Sequence, residues 1–175
     1  MKNRIFKVAM LVMALAFLFA GCKQEKEKIY SSVFDCDYTS EIETHLHTEG
    51  VGLEVENDEL RLFNVPMLDG TAYCVVQFDK ETDAIIKTDC YMEFPKENIM
   101  QRSAELKSEF LQMIRKDGGT YEFYPLDNYN EVGESDFLAG NASMELYIRD
   151  NSVTWNISWL ITGDMASVRL SKSIG

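Results

Sequence analysis

Val153-Thr-Trp-Asn-Ile-Ser-Trp-Leu-Ile161 is the stretch whose reading decides the fold. Val153, Trp155, Ile157, Trp159 and Ile161 occupy alternate positions, so they line one face of an extended chain. Upstream, Met144, Leu146 and Ile148 alternate with Glu145, Tyr147 and Arg149, and Asp150-Asn151 supplies a tight turn. Downstream, Gly163-Asp164 turns the chain again, and Ala166, Val168 and Leu170 continue the apolar alternation. The three segments together predict an antiparallel meander with one apolar face.

The same period runs through the first half of the chain. Val51 to Val55 and Leu60 to Val65 read as two strands joined at Asn57-Asp58, with Pro66 and Asp69-Gly70 closing the unit. A second hairpin follows. Ala72, Cys74, Val76 and Phe78 share one face of its first strand, and Ile86, Thr88, Cys90, Met92 and Phe94 share one face of its second. A loop around Glu81-Thr82-Asp83 sets Phe78 opposite Ile86 and Cys74 opposite Cys90. Two outcomes are open for the cysteines: a disulfide, or two buried thiols acting as small apolar groups.

One segment has a helical period instead. From about Lys96 to Lys116, behind Pro95, the residues Ile99, Ser103, Leu106, Phe110, Met113 and Ile114 form a single stripe. Arg115 and Lys116 suit its C-terminal end, and Gly118 stops it. A strand over Thr120–Tyr124 and a long loop over residues 125–142 lead into the meander. The expected fold class is α+β: a curved antiparallel sheet packed against one long amphipathic helix, which covers its apolar face, and ending in the three-stranded meander.

The N-terminus has a different character. Lys2, Arg4 and Lys7 precede an apolar run from Val8 to Ala20, which is too short for the ~20 residues of a membrane-spanning helix. A basic start, an apolar core and small residues at its end make the three-part secretory signal. The run closes on Leu18-Phe19-Ala20-Gly21-Cys22, which resembles the lipobox of bacterial lipoproteins. Ala20, Gly21 and Cys22 fit that pattern, while Phe19 stands where an aliphatic residue is usual. The resemblance implies cleavage before Cys22, acylation of its sulfur and anchoring of the mature chain in a bacterial cell envelope by two or three acyl chains, which hold a protein stably where one does not. It places the domain at the outer membrane, facing the periplasm or the cell surface. The expected division is a signal peptide over residues 1–21, an acylated cysteine with a charged tether over 22–30, and a single domain over 31–175.

Charge narrows the partners. The chain has 29 acidic and 17 basic residues, a formal charge of −12. Loss of residues 1–21, which hold three of the basic residues and no acid, takes it to −15. Nucleic acid needs a basic footprint, so it is excluded, and contact with the membrane falls to the lipid alone. Cys36, Cys74 and Cys90 remain beyond the anchor, in no zinc-binding spacing.

Candidate chemistry is sparse. If Glu41 to Glu49 is a strand, His45 and His47, with Glu43, share a face that could hold a divalent metal. If it is a helix capped by Ser40 and Glu43 and ended by Gly50, they are surface pairs, and this is the stronger reading. No Gly-x-Ser-x-Gly elbow or phosphate-binding glycine loop occurs, and no cofactor is implied. Asp35 and Asp37 flank Cys36 and blunt its thiol. Aromatics are the remaining signal: Tyr73 and Tyr91 on the outer face of the cysteine hairpin, and Tyr124 and Tyr129, with Asp136, around the 125–142 loop. The sequence therefore predicts a non-enzymatic binding module for a protein or glycan partner. An immunity or inhibitor protein against an envelope toxin or hydrolase is the alternative, and a metal-dependent enzyme is the third reading.

Overall fold

The computed structural model describes residues 33–45, 50–67, 70–115, 122–123, 127–150 and 152–175. Cys22 and the tether lie outside the described residues. Eight strands form one open sheet: β1 (Gly52–Glu56), β2 (Glu59–Met67), β3 (Gly70–Phe78), β4 (Ile85–Pro95), β5 (Glu122–Phe123), β6 (Met144–Asp150), β7 (Val153–Thr162) and β8 (Met165–Ile174). Their order across the sheet is β1-β2-β3-β4-β8-β7-β6-β5, and every neighbouring pair is antiparallel. The final strand thus lies between the hairpin half and the meander half and joins them.

Local chemistry sets the turns. Asn57 takes a left-handed φ of 57° in the two-residue connection between Glu56 and Glu59, as tight hairpin loops require. Gly163, at φ 65°, does the same between β7 and β8. In β2 the pairing skips from Leu62–Cys74 to Val65–Ala72, leaving Phe63 and Asn64 as a bulge with Asn64 at φ 58°. A bulge of this kind bends its strand and increases the local twist.

One face of the sheet carries the core. Leu62, Cys74, Cys90, Leu170, Ile157 and Leu146 make a row straight across β2, β3, β4, β8, β7 and β6. Each is 3 % exposed or less. Trp155, Trp159 and Ile161 extend this inner face, as the alternation in β7 predicts.

Among the described residues, three helices and a helical turn over residues 33–35 accompany the sheet. They are α1 (Thr39–His45), α2 (Ile99–Arg115), which follows a 3-10 turn over Lys96–Asn98, and α3 (Glu134–Leu138). Among the described side chains of α2, Ile99, Ser103, Leu106 and Phe110 are buried, four members of the expected stripe; the side chains of Met113 and Ile114 lie outside the described residues. Phe110 meets Trp155 edge-on at 5.5 Å. Phe34 lies 5.8 Å from the same indole, and its carbonyl accepts a 2.6 Å hydrogen bond from Lys172 Nζ. Ile42 of α1 and Phe137 of α3 are fully buried in the same core.

The expectation of one long covering helix is corrected here. The α-helix has 17 residues, begins only at Ile99, and shares the inner face with α1, α3 and the 33–36 segment. Width is the reason. Eight strands at ~4.8 Å spacing span roughly 34 Å, and a single helix is only ~10 Å across.

Three further expectations change. Phe78 pairs with Ile85, not Ile86, because the register slips after Gln77; Ile85 is buried and Ile86 is 46 % exposed. β8 runs on through Ser171-Lys-Ser-Ile174, and β2 continues through Pro66 to Met67. Residues 127–142 are not a structureless loop: they hold α3, and Asn128 pairs through its backbone and side chain with Glu145 at the edge of β6.

Candidate functional site

The outer face of the sheet is the candidate surface, because among the described residues the buried side chains of α2, α3 and the 33–36 segment join the core on the inner face. Alternation and register set its content. A row crosses β3, β4, β8, β7 and β6 through Tyr73, Tyr91, Arg169, Ser158 and Glu145. The β2 bulge adds Phe63 at one end, its ring 5.2 Å from that of Tyr73, and Tyr73 lies 6.1 Å from Tyr91. Half the row is aromatic and half is polar.

Hydrogen bonds tie the polar half to the next row. Arg169 Nη2 donates to Asn156 Oδ1 at 3.1 Å, and Asn156 Nδ2 donates to Glu145 Oε2 at 3.0 Å. Asn156 is buried, so its full use of donor and acceptor is what its position demands. One step along, Asp89 is 6 % exposed and holds Lys87 Nζ at 2.6 Å. Asp89 Oδ1 and Arg169 Nε are buried and have no hydrogen-bond partner among the described residues.

Around these groups the face is apolar and open. Tyr73 is 36 % exposed, Tyr91 41 %, Leu160 49 % and Met165 39 %. Leu160 opposes Ser167, and Met165 pairs with Thr162 and Pro95. At the β2 end, Arg61 sits between Glu56 at 2.6 Å and Glu59 at 3.1 Å and is held firmly protonated by them. The arrangement offers stacking surfaces, the guanidiniums of Arg61 and Arg169, and carboxylate acceptors.

Tyr129, expected at a partner surface, is half-buried and packs against the core. Its ring lies 5.0 Å from Trp159, its hydroxyl is 3.3 Å from Ser103 Oγ, and Lys107 Nζ sits 3.9 Å above it. Asp136 is exposed in the first turn of α3. Tyr124 lies outside the described residues.

The histidine segment is helical over Thr39–His45, so the strand reading that aligned Glu43, His45 and His47 does not hold for that stretch. The side chains of Glu43 and His45, and all of His47, lie outside the described residues. The expected Ser40–Glu43 box rests on the Glu43 side chain and so lies outside the described residues; the helix start makes other contacts. Glu41 Oε2 accepts from the backbone N–H of Asp37 at 2.8 Å and of Tyr38 at 3.3 Å. Asp83, from the β3–β4 loop, accepts from the Thr39 hydroxyl and, at 3.3 Å, from Ser40 N–H. Among the described residues no group of three or more His, Cys, Asp or Glu is arranged to hold a metal ion. No described helix is long and apolar enough to cross a membrane.

The thiols are shielded. Cys36 is 3 % exposed, and burial, with Glu41 and Asp35 beside it, pushes its pKa up to about 11. Burial also drives Cys90 well above the ordinary thiol range, with the Cys74 sulfur 2.7 Å away adding to it. Neither is poised as a thiolate nucleophile.

Sequence reading pointed to Tyr73 and Tyr91 but missed Phe63, Arg169, Asn156 and Glu145. Alternation marks each of the last three as outward-facing; their alignment into one site needs the β4–β8 pairing, for which the sequence has no local signal.

No family model, no curated protein and no solved structure matches this chain.

Proposed function

We propose that this chain is a lipoprotein anchored in a bacterial envelope through Cys22, and that its domain is a binding module whose outer sheet face engages a protein partner. The observation that carries the reading is the exposed set of Tyr73, Tyr91, Leu160 and Met165 on the same face as Arg169, opposite the face on which the described helices pack. Tyr, Met and Arg are the residues enriched at protein interfaces, and apolar patches rimmed by polar groups mark them. An open sheet face also suits a protein better than a small molecule, which needs a concave pocket. The acidic composition and the basic, apolar N-terminus support the anchored location.

The test uses the full chain in membranes of a bacterium that processes it. Chemical cross-linking of the native chain is compared with that of a Tyr73→Ala/Tyr91→Ala variant and a Tyr129→Phe control. We expect the cross-linked partner band to vanish in the double variant and persist in the control. Equal cross-linking in all three removes the outer face from the function, and retention on insoluble envelope glycan, lost in the double variant, reassigns the face to a glycan. Separately, Cys22→Ser should release the chain from the membrane fraction.

A further inference from the structure

Cys74 and Cys90 are direct register partners at the centre of the sheet, both fully buried, with their sulfurs facing at 2.7 Å. Residues directly opposed across antiparallel strands have Cα atoms ~4.5–5.5 Å apart. A disulfide spans Cα separations of ~4.4–6.8 Å, so no backbone movement is needed to join them. Their row neighbours are Leu62 on one side and Leu170 on the other. Cys36 is packed elsewhere, beside Glu41 and Asp35.

We infer that Cys74 and Cys90 form a disulfide in the exported protein, a covalent staple across β3 and β4 beneath the Tyr73–Tyr91 pair. Each thiol gives up its hydrogen and one S–S bond forms. The two electrons and two protons pass to an oxidised protein disulfide of the compartment, which is reduced to its dithiol. The bond must close before the sheet buries the pair, and once closed it is out of reach of attacking thiolates. The inference rests on the export reading, because an oxidising compartment supplies that acceptor.

The test is differential alkylation of the full chain, recovered from membranes of an exporting bacterium. The chain is unfolded and treated with iodoacetamide before and after reduction, and the label is read peptide by peptide. The expected result is no label on Cys74 or Cys90 before reduction, full label after it, and label on Cys36 in both samples. Cys22 in the same digest reports processing independently. A cleaved, acylated Cys22 together with labelled Cys74 and Cys90 before reduction overturns the inference. An uncleaved N-terminus means that export has failed, and the purified full chain refolded against glutathione disulfide then decides. Pairing of Cys74 with Cys90 upholds the inference there, and unpaired thiols or pairing with Cys36 overturns it.

Discussion

The ring of Tyr129 rests against Trp159 at 5.0 Å, tilted by 54°, and the two residues join the 127–142 segment to the middle of the sheet. This contact makes Tyr129 a packing residue. Tyr129→Ala is expected to lower the unfolding free energy by ~2–4 kcal/mol, toward the cost of deleting a large core aromatic. Tyr129→Phe, which loses only the hydroxyl contact with Ser103, should cost ~1 kcal/mol. Urea unfolding measures both, and a Tyr129→Ala midpoint equal to the native one removes the clamp role.

Tyr91 should show the opposite profile. Its ring is exposed and its cross-strand partner is Tyr73, so Tyr91→Ala is expected to cost at most ~1 kcal/mol of stability. Ile157→Ala, on the inner face of β7 with no exposure, should cost ~2–5 kcal/mol. Partner affinity should fall at least about tenfold in Tyr91→Ala, equivalent to ~1.4 kcal/mol. A Tyr91→Ala variant that is destabilised like Ile157→Ala is doing core work, and the binding argument then fails.

The β3–β4 loop gives a pH prediction. Asp79 accepts from the backbone N–H groups of Glu81 and Thr82, and Asp83 from the Thr39 hydroxyl; both carboxyls are held below the ordinary 3.8. A depressed folded pKa means stability that is fully present above the unfolded value and lost as pH falls through the folded one. The Asp79→Asn and Asp83→Asn variants should therefore lose less Tm than the native chain as pH drops below about 4. Parallel acid limbs in melting curves of all three proteins would exclude this linkage.

The sulfur pair makes a stability prediction separate from the chemical mapping. Closing a loop of about 15 residues in the unfolded chain is worth ~3 kcal/mol in the chain-entropy account. Chain treated with reductant while unfolded should thus refold to a state with a lower denaturant midpoint than chain that was never reduced. Coincident midpoints would contradict a bond between Cys74 and Cys90.

Much of the fold was legible because it depends on local alternation. Trp155, Ile157, Trp159 and Ile161 are buried on one face as their spacing requires, and so are Ile99, Ser103, Leu106 and Phe110 at helical spacing. Asn57 and Gly163 sit at turns because their backbones accept a left-handed φ. The hairpin order Cys74–Cys90 follows from a short loop between two alternating runs. The slip to Ile85 was not legible, because Ile85 and Ile86 are equally apolar and only the backbone of the Asp79–Ala84 loop distinguishes them.

The sequence by itself determined the strands, the apolar stripe of α2, the acidic charge and the lipobox-like N-terminus, since each is written in neighbouring residues. The tertiary structure decided that β8 lies between β4 and β7, and with it that Ser171, Lys172 and Ser173 are strand residues and that Arg169 stands beside Tyr91. The physical reason is that a strand's partners are fixed by backbone hydrogen bonds between segments far apart in the chain. A polar stretch becomes strand when both of its edges are paired, and a face becomes a surface for partners only once the helices have taken the other side.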